Sequence, residues 1–456
     1  MNALVSMLRW EARQLLRSGA AWLLCGALLM AAGFAGWAGA RKLERQRAEM
    51  AAAPAHYDEQ MRGLAHRFAP TGEAGYVAYY TFFPTQRHLA PLAAFSVGLR
   101  DLVPPVVWVR LLGIEGQLYE ADLGNPAVLA LGNFDLAFVL AALAPLVLLA
   151  LSHDALTQER ESGRLALLLA QSGSPAVLLA VRVGLRFALV ALTCCMAWLA
   201  GCLALSVPLD ASALGWLGMG LANLLAWAGV AALVAASCRS VAGSLAAAVG
   251  GWVVLVVLLP ALLNLGVAAA YPVEEGLALT VKQRQESHSA WDRPRAETMS
   301  KFFVANPDWS GTPAVTNRFA WRWYYAMHEV ADRSVAPEAT AYQTNLLRRQ
   351  SWHTRLAWLA PAAYTQLAMD RRAGSDLDAH LAYLNQIRAF HQELRGYFYP
   401  LCFAERSLTP AEYADFPRFR PSPVPSAEPV SPLPLLVLAA ATGWFALRAA
   451  RRLTIL

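Results

Sequence analysis

Charge is scarce in this 456-residue chain. Only 15% of its residues are charged and 57% are hydrophobic, whereas soluble domains carry roughly 25% charged residues. The deficit is concentrated in a few long apolar runs, which excludes an ordinary soluble globular protein and points to the membrane class. Lysine is nearly missing, with only Lys42, Lys282 and Lys301 present. None of the three stands in a Gly-x-x-x-x-Gly-Lys-Ser/Thr loop, whose amides and lysine would hold nucleotide phosphates. ATP hydrolysis of that kind is therefore not expected here, and no enzymatic activity is assigned to the chain. Pairable cysteine is also lacking. Cys25, Cys194, Cys195, Cys202 and Cys238 lie in or beside apolar runs, and Cys402 is alone in a long hydrophilic segment, so that segment must fold on its own core. Clustered metal ligands are missing too. His380 and His391 share a predicted helix but stand about 16 Å apart along it, too far for one ion, and His328 beside Glu329 is a lone pair. No metal site, catalytic residue or cofactor is expected in this chain.

The net charge of +6 has a local origin. Residues 41–132 hold nine basic and nine acidic side chains, and residues 271–432 hold eighteen and seventeen. These long segments are near neutral. The surplus lies in short flanks of apolar runs, which is a topology signal and not a nucleic-acid patch.

Six apolar runs approach or exceed the roughly 17–25 residues that cross a bilayer. The expected spans are 18–40, 133–151, 185–206, 212–236, 242–270 and 433–450. The first begins and ends like a signal peptide, but its apolar core is longer than the usual roughly 7–15 residues, so an uncleaved helix is favoured. Arg9, Arg13 and Arg17 precede the first span. Arg160, Arg164, Arg182 and Arg186 lie between the second and third, Arg239 between the fourth and fifth, and Arg448, Arg451 and Arg452 at the end. With alternating helices these all fall on one side, which the positive-inside rule makes cytoplasmic, together with both termini. Arg41, Lys42, Arg45 and Arg47 are a local exception. The expectation is an all-α, multi-pass protein of the bacterial inner membrane, with segments 41–132 and 271–432 packed into one mainly helical extracytoplasmic domain.

Within this frame a few features bear on function. Residues 1–17 are amphipathic, with Arg9, Arg13 and Arg17 on one face and Leu4, Leu8, Ala12 and Leu15 on another. Such a helix lies in the membrane interface, contacting lipid or a partner, or is a basic flank that only sets topology. Residues 152–176 form a charged helical turn, a glycine break, a short apolar helix and a Ser-Gly-Ser-Pro stop. They read either as a surface helix that a soluble partner can push or as a solvated loop. Asn223 and Asn264 are the notable polar residues of the spans. They either line a pathway or, by default, bridge helices. No carboxylate pair is evident in the spans or in a membrane-edge loop, so neither a proton-coupled carrier nor a polytopic membrane enzyme is favoured. Ser375–Tyr399 reads as a helix with a Ser375/Asp378 capping box ended by Pro400. Trp321, Trp323, Tyr324 and Tyr325 form an aromatic cluster, read as core in preference to a ligand grip. Residues 422–434 read as an extended lead into the last span.

Glu159-Arg160-Glu161-Ser162-Gly163-Arg164-Leu165 resembles the Glu-Arg-Glu-x-Gly-Thr-Leu signature of ABC-2 type permeases, the group that includes the nitrous-oxide-reductase maturation permease. Five further stretches are similar to a subfamily with a large extracytoplasmic insert of unknown function. They are Leu89–Ala93 with Gly98–Leu102, Asn133–Phe138, Leu359–Ala362, and Ala373–Leu377. Arg164 stands where the signature has threonine. The resemblance implies a permease subunit served by two copies of a separate ABC ATPase, which would supply ATP and Mg chemistry, and by a second permease, identical or sibling. It implies that 152–176 is the coupling helix, with Glu159, Arg160, Glu161, Gly163 and Arg164 at the ATPase contact. Residues 1–17, with Arg9, Arg13 and Arg17, would be the elbow helix. Two function classes follow: a transport subunit for an unidentified substrate, or a mechanotransmission or assembly protein whose outer domain acts on an extracytoplasmic partner.

Overall fold

The computed structural model describes residues 2–68, 72–119, 133–172, 174–273, 275–317, 319–423 and 429–453. Gly173, the end of the first hydrophilic segment at 120–132 and the centre of the proline-rich lead at 424–428 lie outside the described residues. The order is α1 (Asn2–Leu16), α2 (Gly19–Phe68), α3 (Ala74–Tyr80), β1 (Phe83–Gln86), β2 (Val106–Val109) and α4 (Ile114–Tyr119). Next come α5 (Leu136–Phe138), a π-helical turn (Val139–Leu143), α6 (Ala144–Ser152), α7 (Thr157–Glu161), α8 (Leu165–Ser172), α9 (Pro175–Ala204) and α10 (Ala211–Ser237). After these follow α11 (Val241–Val253), a second π-helical turn (Val254–Leu258), α12 (Leu259–Ala270), α13 (Glu275–Ser289) and α14 (Arg295–Ala305). Finally come α15 (Trp321–Leu356), α16 (Pro361–Arg372), α17 (Leu377–Phe403) and α18 (Leu433–Arg451). Among the described residues the fold is helical apart from β1 and β2, a two-stranded antiparallel pair in register Phe83 to Val109 that periodicity had not indicated.

Among the described residues, six helical stretches are long and apolar enough to cross a membrane: Gly19–Phe68, Leu136–Glu161, Pro175–Ala204, Ala211–Ser237, Val241–Ala270 and Leu433–Arg451. They share one core that includes Leu148, Trp216, Trp227, Ala235 and Ala446. Close approach depends on small residues. A Cβ at Gly229 would fall 2.1 Å from Thr442 Oγ1, so only glycine lets α10 lie this close to α18.

Two spans differ in extent from the apolar runs. The third helix begins at Pro175, ten residues before its run, with proline at a helix start where its missing N–H is no loss. The first does not stop at residue 40. Residues 41–68 are rich in alanine, arginine, glutamate and methionine, all good helix formers, so α2 continues for 28 residues past the apolar run, about 42 Å. Pro54 inside it cannot donate to the Met50 carbonyl. Gln86 Nε2 donates to that oxygen instead, at 2.7 Å.

The two hydrophilic segments fold together. Tyr57, Phe83 and Val109 from the first share a core with Phe302, Trp323, Tyr325 and Phe398 from the second. The aromatic cluster belongs to it: Trp323 and Tyr325 are fully buried. Two details of α17 correct the sequence reading. Asp376, not Ser375, is the N-cap, its Oδ1 accepting from Ala379 N at 3.2 Å, because the Ser375 hydroxyl is turned back to donate to the Asp370 carbonyl at 3.1 Å. Pro400 does not end the helix. Cys402 and Phe403 are buried in the core, and their burial draws the last turn past the proline.

Candidate functional site

The segment 152–172 sits at one end of the helix bundle. After α6 the chain turns at 153–156, where Ala155 and Leu156 are fully buried. Ser244 Oγ on α11 pins this turn by donating to the His153 carbonyl at 2.6 Å. The helix α7 follows and ends at Gly163, whose φ of +68° is the left-handed conformation that glycine adopts without a steric penalty. A Cβ there would meet nothing within 4 Å, so the requirement is conformational. The turn launches α8, which packs on α1 and α9 and leaves Leu167 67% exposed.

The charges of this segment are spent internally to a degree the signature alone did not suggest. Glu159 is buried and its Oε1 pairs with Arg182 Nη1 at 2.8 Å. The same guanidinium pairs through Nε with Glu11 Oε1 at 2.8 Å and donates to the Ala155 carbonyl at 2.8 Å. Arg186 pairs with Asp154 at 3.0 Å. Arg160 Nη1 donates to the carbonyls of Cys238 (2.5 Å) and Ala236 (3.3 Å), which caps the end of α10. Glu161 Oε2 accepts from Val241 N at 2.8 Å, a carboxylate at the positive end of α11. Glu161, Gly163 and Arg164 of the five signature positions are exposed, Glu161 while bonded to the start of α11. Arg164 is exposed and its Nε donates to Ser162 Oγ at 2.9 Å.

Arg182 is thus a hub that ties α1, the turn 153–156 and α7 to α9. It is only 5% exposed. Two buried carboxylates on one guanidinium balance the desolvation of all three groups better than a single pair. Sequence reasoning had used Arg182 only as a topology marker and had not singled out Glu11. The available signal was an acidic residue on the face of α1 opposite Arg9, Arg13 and Arg17. Those three arginines are exposed, as the amphipathic pattern implied.

The two asparagines are not brought together. Asn264 is exposed on α12. Asn223 is fully buried, and its Nδ2 donates to the carbonyls of Ala141 (3.0 Å) and Leu140 (3.5 Å). Pro145 explains this. It lacks the N–H that would serve Ala141 in an α-helix or Leu140 in a π-turn, and Asn223 bridges from α10 to replace it.

At the opposite end of the bundle the stretches that carried the subfamily resemblance converge. Val97 N and Phe138 N donate to the two oxygens of Asp135 at 2.8 and 2.9 Å. Leu99 N donates to the Ser375 carbonyl at 2.8 Å, and Asn133 Nδ2 to the Gly98 carbonyl at 3.2 Å. Arg100 is buried, donates to Gln46 Oε1 at 2.8 Å and reaches the Ala93 carbonyl. Ser96 Oγ donates to Asp370, which also accepts from Gln366 at 3.0 Å. Burial, with the charge of Asp135 added, pushes the Asp370 carboxyl up to about 7. Asp135 and Asp370 line one cavity of about 310 Å³. The two residues are far apart in the chain, so no spacing rule could have found them. Asp135 has both oxygens committed to backbone N–H groups, and the pair acts as a clamp between the loop 95–100, the helix start at 136 and α16.

No group of three or more histidine, cysteine or carboxylate side chains is placed to hold a metal among the described residues. His391 Nε2 donates to the Arg110 carbonyl at 3.1 Å and His380 Nδ1 accepts from Arg87 at 2.8 Å. Glu329 pairs with Arg333 and not with His328.

The class defined by this architecture is a mainly helical protein with, among the described residues, six membrane-length apolar helices and one hydrophilic domain assembled from two segments. Residues 278–422, which make up much of that domain, match the family model described as "Domain of unknown function (DUF3526)". No curated protein matches the chain.

Proposed function

We propose that the chain is the membrane permease subunit of an ABC-2 type ABC transporter, working with a separate ATPase in the bacterial inner membrane. The observation that carries the reading is the segment 157–172: a left-handed glycine turn presenting a short, outward apolar helix, braced from behind by Arg182. A docking element must be exposed where the partner binds and stiff where it joins the spans. Here α8 and Arg164 form the outward part, and the contacts of Glu159, Arg160 and Glu161 form the stiff part. The glutamates and Arg160 of the signature then transmit force inside the subunit, while Leu167 and Arg164 meet the ATPase. Two ATPases beneath two such subunits, identical or sibling, would rock this end of each bundle and so move a substrate past the helices. The termini lie on the ATPase side in this reading, and the hydrophilic domain is extracytoplasmic.

A second reading is mechanotransmission without solute transport. It is favoured by α2, which runs unbroken from the bundle into the hydrophilic domain. A push at one end of such a rod reaches an extracytoplasmic partner protein directly.

The test is a pull-down of the detergent-solubilised protein with a candidate ABC ATPase from the same genome. Wild type is compared with Leu167→Glu and Arg164→Glu, whose side chains are outward and whose loss leaves the internal contacts intact. Capture by wild type and at least a tenfold loss in both variants supports the coupling assignment. Equal capture by all three, or none by intact wild type, overturns it.

A further inference from the structure

A groove of about 380 Å³ opens between α9, α10 and α18 and reaches the end of α16. Its lining is apolar, with Phe187, Leu221, Ala222, Leu225 and Leu436 among the walls, and Arg372 is its one charged lining residue. Arg372 closes α16 and lies across the second turn of α10. A Cβ on Gly215 would fall 2.5 Å from Arg372 Nη1, so the guanidinium rests directly on the helix backbone. Its Nε is buried without a hydrogen-bond partner, and no carboxylate pairs with it among the described residues. The adjacent Arg371, by contrast, pairs with Asp376 and Asp378.

The dimensions suit one leaflet of a bilayer. From Gly215, at the Asp210-capped start of α10, to Leu225 is ten residues, about 15 Å. That is half of the roughly 30 Å hydrocarbon thickness. The charged end of the groove therefore lies at the depth of lipid headgroups, and the apolar end at the bilayer midplane. An arginine at that depth is within reach of lipid phosphates, and a guanidinium's planar fork matches phosphate oxygens.

We propose that this groove is a binding site for one phospholipid, its phosphate on Arg372 and one acyl chain along α10 from Gly215 to Leu225. Charge complementarity selects the phosphate, and the apolar walls and leaflet-length groove select the chain. The site does not depend on an ATPase partner, so its test stands apart from the transporter assignment.

The experiment is native mass spectrometry on the full-length, delipidated protein titrated with palmitoyl-oleoyl phosphatidylglycerol. One lipid binds wild type preferentially. Arg372→Ala and Gly218→Trp each weaken that binding at least tenfold, while Arg372→Lys, which keeps the charge, weakens it less than Arg372→Ala. A Cβ at position 218, which lines the groove, meets nothing within 4 Å, so a bulky side chain there starts into the groove and not into the protein. Hexadecyl phosphate competes, whereas inorganic phosphate and hexadecanol compete at least tenfold more weakly. Melting curves in detergent identify any variant that fails to fold, and the folded one, or the milder Gly218→Leu, then decides. Unchanged lipid binding in the folded variants overturns the proposal. So does inorganic phosphate competing as well as hexadecyl phosphate, which would mark a free-phosphate site.

Discussion

Replacing Arg182 with methionine removes the hub of the candidate coupling site while keeping a long apolar side chain. Arg182 makes three contacts at 2.8 Å, to Glu11, Glu159 and the Ala155 carbonyl. Its loss strands two carboxylates that are 7% and 8% exposed. Removing one partner of a buried ion pair costs about 3–5 kcal/mol. The cost falls first on α1, which is joined to the bundle through Glu11, so α1 opens before the rest of the protein unfolds. At about 1.4 kcal/mol per tenfold change, the opening equilibrium of α1 shifts by roughly 10² to 4 × 10³. Hydrogen exchange of the amides of residues 2–16 in detergent reads this directly. The triple variant Glu11→Gln, Glu159→Gln, Arg182→Met recovers part of the protection, because neutral amides are not stranded charges. Exchange in Arg182→Met within twofold of wild type would refute the hub, as would a triple variant no better protected than the single one.

Further outcomes follow from other contacts. Gly163→Ala forces a side chain into the left-handed region and costs about 1–2 kcal/mol; since a Cβ there meets nothing, a melting-temperature loss reports backbone strain alone, and Gly163→Asn is milder. Asn223→Leu strands the carbonyls beside Pro145 and destabilises the bundle by about 0.6–2 kcal/mol, measured by denaturant titration in detergent. Asp370, facing Asp135, Asp376 and Arg100, has a folded value near 7 against an ordinary 3.8. Its contribution is fully present below about pH 4 and is lost as pH rises through about 7. Asp370→Asn therefore flattens the fall in melting temperature between pH 4 and pH 8, and an unchanged slope would exclude Asp370 as its source.

Hydropathy was enough to read the membrane-length helices and the division into a bundle and a hydrophilic domain, because a bilayer imposes its thickness on any helix that crosses it. The left-handed turn at Gly163 and the outward arginines of α1 were also legible, since each depends on local backbone or a helical repeat. The role of Asn223 was half legible. Its polarity in an apolar helix announced a partner, but that partner is the carbonyl freed by Pro145 on another helix. Glu11 with Arg182, Asp135 with Asp370, and Arg372 over Gly215 were not legible at all. Each joins residues that only the packing of separate helices brings within hydrogen-bond or van der Waals reach. The sequence by itself determined which stretches are helical and which are apolar, because those properties follow from neighbouring residues and the surrounding solvent. The tertiary structure alone decided which buried charges have partners, because Coulomb and hydrogen-bond energies act over a few ångströms of space, whatever the separation along the chain.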